Sequence, residues 1–114
     1  MVDDMIDTGG SITKAVEALL NRGARDVYAA ATHGILSGPA VERLGSSPLT
    51  ELIITDTIPL REAARQLPVT ILSVAPMLGE AIARIHQDMS VSKMFTELRG
   101  QPAAGLFDKA LPRQ

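Results

Sequence analysis

Apolar residues recur along this chain in two rhythms. Ile12, Ala15, Val16, Leu19 and Leu20 follow the three-to-four spacing of a helix face. Short runs such as Val27-Tyr28-Ala29-Ala30-Ala31, Leu52-Ile53-Ile54-Thr55 and Val69-Thr70-Ile71-Leu72-Ser73-Val74 are unbroken and bounded by turn formers. The first rhythm predicts an amphipathic helix and the second predicts buried strands. Together they place the end of a strand at 1–6 and a helix at about 12–22, capped by Ser11 and stopped by Gly23. A second strand is expected over 25–32, then a loop at 34–38 and a short helix from Pro39 through Leu44. Gly45 to Pro48 reads as a turn before a third strand at 52–55. A helical turn follows near 61–66, then a fourth strand over 69–74. Pro76 opens a helix that reaches about His86, with Leu78, Ile82 and Ile85 on one face.

Strands separated by helices imply parallel pairing through crossovers, so the fold class is α/β, a parallel sheet with flanking helices. Continuous apolar strands predict a sheet covered on both faces. No internal repeat or low-complexity tract interrupts this pattern. From Gly100 onward the patterning weakens, and a loosely held tail is expected there.

Composition narrows the function classes. The chain has 114 residues, of which 46% are hydrophobic and 21% charged, an ordinary globular balance for one small domain. The formal charge of −2 and the scattered Lys and Arg residues argue against nucleic acid or an anionic membrane as partner. Without cysteine there are no disulfides and no thiolate metal sites. No apolar run is long enough to span a bilayer, and the first residues carry two aspartates where a signal peptide would be basic. A cytoplasmic location is compatible with all of this. Aromatic content of 3%, with no Trp, speaks against base-stacking platforms.

The chemistry is concentrated in Val2-Asp3-Asp4-Met5-Ile6-Asp7-Thr8-Gly9-Gly10-Ser11. Two acids sit toward the carboxyl end of a strand, a small-residue loop follows, and a helix begins. In open α/β sheets this edge is where ligands bind. Gly9 and Gly10 allow an anion to approach the backbone, the hydroxyls of Thr8 and Ser11 add donors, and the helix points its positive end at the same spot. Carboxylates accept hydrogen bonds and repel phosphate, so Asp3 and Asp4 suit the vicinal hydroxyls of a sugar. A sugar phosphate satisfies both demands. The same pattern also fits a plain strand-to-helix turn with a capped helix.

The stretch Asp3 to Ser11 resembles the phosphoribosyl-diphosphate-binding loop of the type I phosphoribosyltransferase fold. Ala31-Thr32-His33-Gly34-Ile35-Leu36-Ser37-Gly38-Pro39-Ala40, Thr55-Asp56-Thr57-Ile58-Pro59, Leu72-Ser73-Val74-Ala75-Pro76 and Ser90-Val91-Ser92 with Phe95 resemble ribose-phosphate diphosphokinases. The similarity runs over about residues 2–95, in order. It implies the carboxy-terminal part of such an enzyme. The fold is then type I phosphoribosyltransferase-like but truncated at its amino-terminal side, with a partial domain at 1–95 and a tail at 96–114. The strand that carries Asp3 begins almost at the start of the chain, which also reads as a piece of something longer.

The family transfers a diphosphoryl group from ATP to the anomeric hydroxyl of ribose 5-phosphate, yielding phosphoribosyl diphosphate and AMP for nucleotide synthesis. It requires Mg2+ and works as a homo-oligomer, most often a hexamer. The resemblance implies that Asp3 and Asp4 hold the ribose hydroxyls and that Asp7, Thr8, Gly9, Gly10 and Ser11 form the 5-phosphate loop. Ser11 replaces a threonine commoner there and keeps the hydroxyl. The family's ATP site, magnesium ligands and catalytic Lys and Arg lie upstream and are absent here, so the chain by itself is expected to bind ribose 5-phosphate without turning it over. Phosphoryl transfer depends on such positioning and charge stabilisation. Ser90, Ser92 and Phe95 match a segment that in several members contributes to a regulatory phosphate or ADP site; tail packing is the plainer reading. His33 and Asp56 lie at strand ends, where structural and capping roles compete with ligand contact. The loop alone also fits a phosphoribosyltransferase that consumes phosphoribosyl diphosphate, or a non-catalytic subunit that binds ribose phosphate or associates with a complete enzyme.

Overall fold

The computed structural model describes residues 1–98 of the chain. They form two compact units, one over Met1–Leu72 and one from Ser73 onward. In the first, strands β1 (Val2–Ile6), β2 (Tyr28–Gly34), β3 (Glu51–Thr55) and β4 (Val69–Leu72) pair in chain order β1-β2-β3-β4, every pair parallel. Helix α1 (Gly10–Asn21) links β1 to β2, α2 (Ala40–Ser46) links β2 to β3, and a 3-10 turn (Glu62–Gln66) links β3 to β4. The α/β class and the parallel sheet agree with the expectation from alternation.

One core holds this unit together. Ile12 and Val16 of α1 and Ala40 and Leu44 of α2 are buried with Ala29, Ala31, Leu52 and Ile54 of the sheet, and Ala64 and Leu67 close the far side. Register explains the selection. Ala29 pairs with Leu52 and Ala31 with Ile54, so small residues on β2 face large ones on β3 within one buried layer. The alternate residues tell a different story from the one their apolar runs predict. Tyr28 is 48% exposed, Thr32 is exposed, and Ala30, Ile53 and Thr55 are only half-buried. Ala30, Thr32, Ile53 and Thr55, with Val2, Asp3 and Leu72, line a shallow apolar groove. The expectation of a sheet covered on both faces is therefore corrected: burial alternates, because α1, α2 and the 3-10 turn all pack on the layer that carries Ala29, Ala31, Leu52 and Ile54.

Several boundaries move. Helix α1 begins at Gly10, and its cap is Gly9, in the left-handed region at φ 73°, with no side-chain cap bond. Ser11 lies inside the first turn and is not the cap. Strand β2 runs on through Gly34, α2 extends over Gly45 and Ser46, and β4 ends at Leu72. Gly23 stops α1 as expected, at φ +95°.

The second unit contains α3 (Ala75–His86) and α4 (Val91–Leu98). Pro76 sits in the first turn of α3, where its missing N–H costs nothing. Arg84 donates from Nε to Oε1 of Glu80 at 2.6 Å, a pairing one turn apart. The Met89 amide closes on the Arg84 carbonyl at 2.8 Å, and Asp88 takes the positive φ of 54° that ends the helix. Leu78, Ile82 and Ile85 of α3 are 52%, 68% and 65% exposed. Of the tail expected at 96–114, residues 96–98 belong to α4 and the rest lies outside the described residues. Among the described residues no helix is long and apolar enough to cross a membrane.

Candidate functional site

The β1–α1 loop is shaped by the segment that follows β2. The carbonyl of Ile6 accepts from the amides of Ile35 and Leu36 at 3.0 and 3.1 Å, and the carbonyl of Asp7 accepts from the amide of Ser37 at 2.9 Å. The Ser37 hydroxyl donates to Oδ1 of Asp7. One residue on, Nη1 of Arg43 donates to the Thr8 carbonyl at 3.1 Å. Two consecutive carbonyls, Asp7 and Thr8, are thus drawn toward residues 37–43. All peptides here are trans. In a trans peptide the N–H points opposite to its C=O. The amides of Thr8 and Gly9 consequently face away from that segment. Gly9 then turns left-handed and α1 starts.

The next three amides continue the pattern. The first helical bond of α1 runs from the Thr13 amide to the Gly9 carbonyl at 3.1 Å. The amides of Gly10, Ser11 and Ile12 precede it and find no partner within the helix. Thr13 settles the local carbonyls, with its hydroxyl 3.0 Å from the Gly9 oxygen and 3.2 Å from the Gly10 oxygen. A run of N–H groups at the positive end of a helix is an anion-binding concavity. Gly9 is favoured by its conformation, at φ 73°; a Cβ there would make only ordinary contacts, 3.5 Å from Leu44 Cγ and 3.6 Å from the Ala40 backbone, so the turn lies against α2.

The structure gathers Asp7, Thr8, Gly9, Gly10 and Ser11 in one loop. Oδ1 of the exposed Asp7 carboxylate accepts from the Ser37 hydroxyl. Thr8 and Ser11 are exposed, and Gly9 and Gly10 form the turn. Asp3 and Asp4 lie on the exposed part of β1, an edge strand. Each carboxylate accepts from the next residue's amide: Asp3 Oδ1 from Asp4 at 2.9 Å and Asp4 Oδ1 from Met5 at 2.8 Å. Roughly 10 Å of strand separates Asp4 from Asp7 at about 3.3 Å per residue.

A second cluster stands at the carboxyl ends of β2 and β3. His33 Nδ1 is 2.8 Å from Thr57 Oγ1. Thr57 Oγ1 is 3.1 Å from the Thr32 carbonyl, and Thr55 Oγ1 donates to the same carbonyl at 2.6 Å. Register places His33 beside Met5 of β1, one residue before the loop strand ends. This cluster ties the strand ends together, which is the structural role weighed for His33.

Ser37 and Arg43 were not singled out by the sequence. They lie 30 and 35 residues from their loop partners. Only the position of α2 against the loop brings them there. Ser90, Ser92 and Phe95 belong to the second unit. Ser90 offers its carbonyl to Arg84 Nη1 at 3.5 Å, Ser92 opens α4, and Phe95 is 53% exposed. Among the described residues no group of three acidic or histidine side chains converges to hold a metal ion.

The chain is similar to known proteins over most of its length. Residues 1–96 match the family model described as phosphoribosyl synthetase-associated domain. The chain is 58% identical over 96 residues to a ribose-phosphate pyrophosphokinase of Caldanaerobacter subterraneus subsp. tengcongensis, covering 84% of this chain and 30% of that protein. It is 57% identical over 97 residues to the ribose-phosphate pyrophosphokinase of Clostridium acetobutylicum, covering 85% and 30%. The crystal structure of phosphoribosylpyrophosphate synthetase from Mycobacterium smegmatis superposes with a TM-score of 0.73 at 47% identity, covering 76% of this chain and 29% of that one. The chain thus spans about 30% of the length of the curated relatives it matches. What is matched is the amino-terminal part of the chain, not its carboxy-terminal end. The expectation of a carboxy-terminal part is narrowed accordingly, to a segment of such an enzyme.

Proposed function

The chain belongs to the phosphoribosyl synthetase-associated domain family, and from that premise we propose that it carries the ribose-5-phosphate half of a ribose-phosphate pyrophosphokinase site. The observation that supports this most directly is the β1–α1 loop. There the carbonyls of Asp7 and Thr8 are held toward residues 37–43, and the amides from Thr8 to Ile12 are left for an anion. The 5-phosphate sits on Thr8, Gly9, Gly10 and Ser11. The ribose hydroxyls reach toward Asp3 and Asp4, whose exposed carboxylates are acceptors suited to a diol.

The reaction assigned to the complete enzyme joins ribose 5-phosphate to the diphosphoryl group of ATP, with Mg2+ neutralising charge on the phosphates. This chain's own share of it is binding and orientation. Its residues fix the sugar phosphate so that the anomeric hydroxyl is presented to a nucleotide held elsewhere. Turnover needs cationic groups and metal ligands beyond these residues, and the isolated 114-residue chain binds substrate without converting it.

Amide NMR titration of the chain with ribose 5-phosphate tests the reading. Saturable shifts centred on Thr8 to Ser11 are expected, with smaller ones at Asp3 and Asp4. Dispersed spectra that stay unchanged at millimolar ligand would refute it. A coupled AMP-release assay on the same sample should stay at background.

The half-open sheet layer and the exposed apolar residues of α3 favour a second reading, an associating subunit that docks on a complete enzyme. Affinity purification with a full-length family member decides it: stoichiometric co-elution supports association, and separate elution at micromolar concentrations removes it.

A further inference from the structure

Arg43 stands on the second turn side of α2, and its guanidinium leaves that helix to meet the β1–α1 loop. Nη1 donates to the Thr8 carbonyl at 3.1 Å. The same nitrogen would be 3.3 Å from a Cβ placed on Gly10, so it also lies alongside the first residue of α1. Two consequences follow from elementary chemistry. The Thr8 oxygen, which would otherwise repel an anion in the loop, is turned away and neutralised by a cation. The Gly9 amide, on the other side of the same trans peptide, is aimed where the anion comes. A full positive charge is meanwhile held alongside Gly10 at the start of α1, where a helix dipole alone supplies about half a charge.

We infer that Arg43 is the positioning residue of the phosphate loop and its only fixed cation among the described residues that contact the loop. The inference rests on the ribose-phosphate reading above and extends it: the cradle draws its charge from α2. Arginine suits this place better than lysine, because its fork donates to a carbonyl with one nitrogen while the delocalised charge spreads toward Gly10. Glycine at position 10 is explained by the same contact, since a side chain there would press on the guanidinium.

The test uses the full 114-residue chain and three forms of it: wild type, Arg43→Gln and Arg43→Lys. Arg43 is solvent-exposed, so all three should melt within a few degrees of one another. Affinity for ribose 5-phosphate is read by amide titration at two salt concentrations. Arg43→Gln is expected to bind at least about tenfold more weakly, as loss of a charge-assisted contact implies, and with a shallower salt dependence. Arg43→Lys should recover part of the affinity and all of the salt dependence. Equal affinity in wild type and Arg43→Gln overturns the inference. So does a loss that Lys fails to restore and that leaves the salt dependence unchanged, since the arginine would then serve shape alone. Inorganic phosphate is titrated in parallel. If wild type ignores ribose 5-phosphate but binds phosphate in an Arg43-dependent way, the ribose reading fails and the role of Arg43 stands. If it binds neither, the inference falls with the reading.

Discussion

The Ser37 hydroxyl donates to the Asp7 carboxylate across 30 residues of sequence. The Ser37 amide holds the Asp7 carbonyl at the same time, at 2.9 Å. Side chain and backbone of one residue thus grip side chain and backbone of another. Ser37→Ala removes the first bond and keeps the second. Affinity for ribose 5-phosphate should fall about threefold to tenfold, the range of one net hydrogen bond, with little change in fold. An unchanged titration curve would mean that the backbone contact alone shapes the loop.

Gly34 ends β2 against the core. A Cβ there would lie 2.7 Å from Ile54 Cδ1 and 3.2 Å from its Cγ2, and Ile54 is 1% exposed. Gly34→Ala should destabilise the chain by about 1–3 kcal/mol through overpacking. Ile54→Val deletes the atom in the closest clash. The double variant should therefore be more stable than the sum of the two single losses predicts, by urea melts. Strict additivity would show that the strand end shifts to accommodate the methyl.

The threonine cluster fixes the ring of His33. Thr55 gives its only hydroxyl proton to the Thr32 carbonyl at 2.6 Å, and Thr57 gives its own to the same oxygen at 3.1 Å. With that arrangement Thr57 Oγ1 is an acceptor at 2.8 Å from the ring, and the expected tautomer of neutral His33 carries its proton on Nδ1. Nitrogen-15 spectra of neutral His33 should show the Nδ1–H tautomer. Thr57→Val should shift the balance toward Nε2–H. A wild-type ring already protonated at Nε2 would contradict the assignment.

Leu78, Ile82 and Ile85 present an apolar row on α3 that is more than half exposed. Sedimentation velocity should show concentration-dependent association of the chain, and Ile82→Glu should move it to higher concentration by about tenfold or more. A wild-type chain that stays monomeric at hundreds of micromolar would show that this row is tolerated in water.

Sequence patterning located the four strands and their helices because each carries its own apolar rhythm. The loop was legible for a local reason: acids, small residues and a helix start are contiguous from Asp3 to Ser11. Ser11 misled as a cap because a left-handed glycine can end the turn without a side-chain bond, as Gly9 does. Tyr28, Ala30 and Ile53 misled as buried residues because an apolar run says only that burial is tolerated on both sides. Ser37 and Arg43 left no signal. Their importance comes from where the segment 37–43 lands, and a hydroxyl just before a short helix or a guanidinium on it looks like any other.

The strand order β1-β2-β3-β4 bears on how the chain reaches its structure. Among the described residues each strand pairs with the one made just before it. Each new pairing closes a single crossover, and the entropy cost of closing a loop grows only slowly with its length. The fold can therefore grow during synthesis from the β1 edge, one unit at a time. The phosphate loop would take shape once α2 emerges, with β3 and β4 still to come. A ribosome-stalled chain ending after Ser47 should already protect from exchange the Ile35, Leu36 and Ser37 amides, which bond the Ile6 and Asp7 carbonyls.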